Sequence, residues 1–170
     1  MIRQIKKFWL IAFLLAVPAI TQAQDYKFHS VFIYNFTKYI QWPENYRSGD
    51  FVIGVLGNSP ISESLEKMAA NKTVGQQKFK IVKFNTLDDV SKCHILFIPN
   101  DKSHLLDKTL QKIQGQPTLV ITERPGLGEK GSSINFILED GRWKFELNQQ
   151  AATRSKLKVS GELVKFAILI

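Results

Sequence analysis

The sequence predicts an α/β fold: a single layered domain with a largely parallel central sheet flanked by helices and a C-terminal β-hairpin. Three observations predict it. Short continuous apolar runs at Phe51–Gly57 (FVIGVLG), His94–Ile98 (HILFI) and Thr118–Thr122 (TLVIT) have the length and branching of strands buried on both faces. Helical stretches alternate with them, the order expected when the strands of one sheet run parallel. Near the end, two alternating runs flank Asp140-Gly141, a strong short-range hairpin signal.

The chain opens on Arg3, Lys6 and Lys7, followed by the apolar run Phe8–Val17. Pro18 breaks that run, and Thr21-Gln22-Ala23 supplies small residues at the positions a signal peptidase reads. This predicts a signal peptide over residues 1–23, cut after Ala23, and an exported domain over 24–170. The run is too short to span a bilayer comfortably. The formal charge is +8, and three of those cations lie ahead of the cut. The remaining lysines are scattered, as on a solvated surface, and would suit an acidic partner or anionic lipid heads. Export argues against nucleic acid as a partner.

Phe28 to Pro43 predicts the central helix. Phe28, Phe32, Phe36 and Tyr39-Ile40 recur at three- and four-residue spacing, and Val31 and Ile33 widen the apolar stripe. Pro43 ends it, because a proline pushes the preceding residue out of helical geometry. A helix this apolar is deeply buried, covered by a partner, or both.

After the first strand, Ser59 and Pro60 suit the start of a helix faced by Ile61, Leu65 and Met68. Lys78–Phe84 alternates, as a strand near an edge does. Ser103 opens a helix faced by Leu105, Leu106, Leu110 and Ile113, which ends at Gly115 to Pro117. Glu123–Ser133, with three glycines and a proline, is a long irregular loop. Asn148 caps a helix through Lys156, and Glu162–Ile170 is a last helix with Leu163, Phe166, Ala167 and Ile170 turned inward.

The search for chemistry finds no catalytic set. His29, His94 and His104 lack spaced partners, and no constellation has metal-ligand spacing. In a strand, Cys93 and His94 point to opposite faces and cannot share a ligand. Cys93 is the lone cysteine, so no intrachain disulfide can form and the core alone must hold the domain. Asp88-Asp89 and Glu139-Asp140 suit turns better than a facing acid and base. Gly57, Asn58 and Ser59 lie where a strand meets a helix, and read either as a tight turn or as an anion or small-ligand site. No cofactor is implied.

Four stretches carry a resemblance: FIYNFTKYIQWP, FVIGVLGNSP, CHILFIP and INFILEDGRWKFELNQQAATRSKLKVSGELV. In this order, behind a signal peptide, they resemble the YfiR/HmsC-like family of periplasmic regulators, from about Phe28 to Ile168. The resemblance implies a non-enzymatic α/β domain, commonly a homodimer. It implies binding to the periplasmic part of an inner-membrane diguanylate cyclase, which the regulator represses. An outer-membrane lipoprotein can sequester such a regulator, so that cyclic-di-GMP rises and favours biofilm. A sensor histidine kinase is an alternative partner, and a small-ligand sensor module an alternative role. Better-studied members carry further cysteines, so redox control through an intrachain disulfide is not expected here. The expected partner-binding face combines Tyr34, Tyr39 and Trp42 of the first helix with Arg142, Asn148 and Arg154 of the hairpin and the helix after it.

Overall fold

The computed structural model describes the backbone from Val17 and the side chains from Tyr26, through Ile170. The basic start and most of the apolar run of the expected signal peptide lie outside the described residues. The described backbone is helical through the expected cut at Ala23, within α1 (Val17–Tyr39).

An eight-stranded sheet forms the middle layer, in the order β10 (Ile168–Leu169), β8 (Arg142–Leu147), β7 (Ile134–Glu139), β6 (Leu119–Thr122), β5 (Ile95–Ile98), β2 (Phe51–Leu56), β4 (Gln77–Phe84) and β3 (Thr73–Val74). β2 is flanked by β4 and β5, and β6 and β7 follow beyond β5. All of these run parallel, as the alternation of strand and helix requires. The antiparallel members are β3 (Thr73–Val74) against β4 and β8 (Arg142–Leu147) against β7. Asp140 (φ 52°) and Gly141 (φ 70°) close the second pair. Two successive positive φ values make the tight turn whose twist matches the strands.

Side chains alternate between two cores. Ile53, Val55, Ile95, Phe97, Leu119 and Ile121 face α1 and α2 (Ile61–Ala69). Leu56, Leu96, Ile98 and Val120 face the other way, onto Leu106 and Ile113 at either end of α3 (Leu106–Lys112). Strands buried on both sides read as unbroken apolar runs, which is why they were legible. Gly54 interrupts the run in β2 for a steric reason. A Cβ there would stand 2.4 Å from the Phe84 ring and 3.3 Å from Leu96. Cys93 lies in the α3-side core and His94 in the other layer, stacked on Phe51 at 4.3 Å, so the two do point apart.

Two elements differ from the sequence expectation. α1 stops at Tyr39 rather than running to Pro43, because Ile40–Gln41 forms a short strand β1 paired with β9 (Lys158–Val159). The last helix is only α5 (Gly161–Val164), capped by Ser160, which accepts from the Leu163 N–H. The chain then pairs as β10 (Ile168–Leu169) with Glu146 and Leu147 on the edge of β8. Its side chains are therefore not all turned inward: Phe166 is 73% exposed, Leu169 52% and Ile170 41%. The helix after Asn148 is α4 (Gln149–Arg154); Asn148 caps it by accepting from the Ala151 N–H.

Candidate partner-binding surface

One helical turn per contact, Phe32, Asn35, Phe36 and Tyr39 face the sheet edge and the C-terminal segment. Opposite them stand Trp143, Lys144 and Phe145 of β8, with Leu163 of α5 and Phe166 beyond. The space between is an open cleft of about 400 Å³. Its floor is locked by rings: Phe145 meets Phe32 at 5.7 Å and Phe36 at 5.0 Å between centroids. Phe36, Phe145 and Leu163 are buried, so the deep wall is core. Phe166 stands almost free at the lip, and Phe28, 42% exposed, packs on Phe32 at 4.7 Å. The backbone N–H of Ser160 donates to the Tyr39 carbonyl at 2.8 Å and fixes the end of the helical wall. Lys144, exposed and paired with Glu139, lines the cleft. The arrangement offers apolar and aromatic surface.

The structure scatters the six residues expected to form the partner face. Tyr39 lines the cleft. Tyr34 sits against Phe79 on another side of α1, with the ammonium groups of Lys38 and Lys72 at 4.4 and 5.5 Å from its ring. Trp42 corrects the expectation of an exposed aromatic. It is 5% exposed, meets Phe51 edge-on at 4.9 Å, and donates its indole N–H to the His94 carbonyl at 3.1 Å. Asn148 is committed to local structure, since besides capping α4 it donates to the Gly128 carbonyl. Arg142, on the hairpin, and Arg154, in the last turn of α4, are exposed. Sequence reading missed Leu163 and Phe166. Their three-residue spacing is visible in the sequence, but it reads as part of a longer buried helix.

The second expected site, Gly57 to Ser59, lies at the strand ends beside the switch between β2 and β5, where open α/β sheets bind ligands. Here the chain fills that crevice itself. Gly57 (φ 81°) donates to the Phe84 carbonyl, and the Lys102 stem lies where a Cβ would be. Asn58 accepts from Lys83. Ser59 is buried, and its hydroxyl accepts from the Ile61 N–H. Above it, the Tyr26 hydroxyl donates to Glu123 at 3.1 Å, the Asn100 N–H donates to the same carboxylate oxygen, and His29 stands 3.6 Å from the other oxygen. Burial, reinforced by the Glu123 charge, pushes the Tyr26 phenol up to about 12.

Cys93 is buried, and that burial pushes its thiol up to about 12, so it is no nucleophile at neutral pH. Among the described residues, no group of three or more His, Cys, Asp or Glu could hold a metal. No described helix is long and apolar enough to cross a membrane.

Comparison with known families decides the relationship. The YfiR/HmsC-like family matches residues 26–168, from the plug of the crevice to the last strand. The chain belongs to the YfiR/HmsC-like family. Its members are regulatory rather than catalytic and act in the periplasm. No curated protein matches the chain.

Proposed function

We propose that this YfiR/HmsC-like domain is a non-enzymatic periplasmic regulator. It binds the sensory part of an inner-membrane diguanylate cyclase and represses it. The observation that carries the reading is the aromatic cleft between α1, β8 and α5, with Phe166 exposed at its lip. Aromatic anchors in a half-open apolar groove are what dominates protein–protein affinity. Regulation by binding requires no catalytic set, so the mechanism is a shift of the partner between two states.

The test has two arms. Affinity capture from solubilised inner membranes, with the captured protein identified by mass spectrometry, is expected to yield a membrane protein with a cytoplasmic cyclase domain. Deleting the regulator is expected to raise cytoplasmic cyclic-di-GMP. Capture of a sensor kinase instead, with the nucleotide unchanged, would replace the partner assigned here. Homodimerisation and sequestration by an outer-membrane lipoprotein belong to the same proposal and are read by light scattering and by capture from outer membranes.

A second reading is favoured by the cleft's size, which falls within the range of small-molecule sites. In that reading the cleft, not the filled crevice at Gly57–Ser59, takes an apolar ligand. Thermal-shift screening separates the two, because a ligand that binds the native state raises Tm by mass action.

A further inference from the structure

We propose that His94 is an acid-sensitive latch that holds the turn between α1 and β2, residues 43–50, onto the sheet. The geometry around the ring is closed. The Val52 N–H donates to Nδ1 at 3.0 Å, so Nδ1 carries no proton and the neutral ring bears its proton on Nε2. Nε2 then donates to the Tyr46 carbonyl at 2.7 Å. One imidazole thereby ties β2 to the turn, and both ties hold together only in its neutral, Nε2-protonated form, because the charged ring keeps the Tyr46 bond but has no acceptor left for Val52.

Apart from the Tyr46 carbonyl, which favours a charged ring, the surroundings oppose one. His94 is 4% exposed, stacked on Phe51, and meets Trp42 and Tyr46 edge-on. The groups facing it are the Tyr46 phenol from the turn, which does not ionise at acid pH, and Lys92 just before β5. Lys92 is a cation, 4.2 Å from the Tyr46 ring centroid, and opposes a second positive charge. Arg47 of the turn donates to the Trp42 carbonyl. Val52, Phe51 and Leu119, on β2 and β6, bring no titratable group. Burial accordingly holds the His94 pKa below its ordinary value.

Protonation puts an N–H at Nδ1 directly against the Val52 N–H. Two donors then face each other in a buried site, and the ring has to shift off Val52, taking with it the Tyr46 carbonyl that Nε2 still holds. β2 cannot yield, because its ladders to β4 and β5 fix it. The turn can: Glu44, Asn45 and Arg47 to Asp50 are all exposed, and its other side-chain ties are Gln77, which donates to the Tyr46 and Ser48 carbonyls, and Arg47 itself. The sign follows from linkage. The folded pKa is depressed, so the latch contributes fully above the unfolded value of about 6.5 and is lost as pH falls from there through the folded pKa. The turn leads out of Tyr39 and β1, so acid reaches the cleft wall as well; that last consequence rests on the docking surface proposed above.

Hydrogen exchange read by mass spectrometry, corrected for intrinsic rates, tests the latch without any partner. Between pH about 7.5 and 4.5, the Tyr46 and Arg47 amides, bonded to the Pro43 and Glu44 carbonyls, are expected to lose protection, approaching tenfold per pH unit below the unfolded pKa, while β5 and β6 keep theirs. His94→Asn keeps an acceptor for Val52 without a titrating ring, so its turn is expected to be insensitive to pH. Wild-type protection that stays constant, or a variant with the same pH dependence, overturns the proposal. Should the variant fail to fold, NMR of the wild-type imidazole nitrogens decides. The Nε2-protonated tautomer and a midpoint shared with the turn amides are expected; the other tautomer, or separate midpoints, overturns it.

Discussion

Phe166→Ala should weaken partner binding without touching the fold. Phe166 is 73% exposed, so the domain has gained little from its ring. A fully buried aromatic side chain removes roughly 150–250 Å² from water. If a partner covers the remaining three quarters, it gains roughly 110–190 Å². At about 25 cal/mol per Å² that is about 3–5 kcal/mol, of which ordering costs return part, leaving a loss on the order of a hundredfold in Kd. Stability should change by less than about 0.5 kcal/mol, because an exposed ring leaves no cavity. Leu163→Ala is the contrast: at 3% exposure it should cost about 2–5 kcal/mol of stability. The assay pairs surface-plasmon binding to the captured partner's periplasmic domain with urea unfolding of each variant. Wild-type affinity in Phe166→Ala would refute the cleft as the docking surface. A clear loss of stability in the same variant would refute the argument that the ring is unused by the fold.

Three further outcomes follow from packing. Trp42→Ala should cost about 3–5 kcal/mol and show as a Tm drop of many degrees, whereas Trp42→Phe should cost about 1–2, because the His94 carbonyl keeps its bond from the Leu119 N–H. Gly54→Ala should destabilise by about 1–3 kcal/mol in urea melts, since its Cβ meets the buried Phe84 ring, and Phe84→Leu in the same chain should recover part of the loss. Cys93, buried and with its thiol pushed up to about 12, should resist a thiol-reactive dye in the native state at pH about 8 and react at once in denaturant. Fast native labelling would show that the strand opens.

The sheet was legible because strands covered on both sides cannot hide their composition. Ile95 to Ile98 and Leu119 to Thr122 are apolar or small at every position, and Asp140-Gly141 dictates its own turn. What was not legible depended on pairing partners far away in sequence. Ile40 and Gln41 read as the end of a helix because Lys158 and Val159, which turn them into a strand, lie more than a hundred residues on. Ile168 and Leu169 read as helix for the same reason, with two residues of β8 deciding otherwise. The cleft was hidden likewise, since its walls come from both ends of the chain. Tyr39 was found through its aromatic spacing, but the same logic selected Trp42, which the core had already claimed. His94 was invisible for a different reason. Its ring nitrogens pair with the backbone of Tyr46 and Val52, and backbone groups leave no mark in a sequence.

One helix serves both sites. Tyr26 closes the crevice near the switch between β2 and β5, and Tyr39 walls the cleft on the same rod. Thirteen residues of α-helix span about 20 Å with almost no compliance along the axis. The chain has placed its own side chains in the position where related architectures hold a ligand, and has turned the far end of the same element toward an open groove. The plug thereby acts as an anchor: it sets the height and rotation of the cleft wall from the opposite end of the sheet. A substitution at Tyr26 or Glu123 is for that reason also an edit, at a distance, to the shape of the surface that Tyr39 presents.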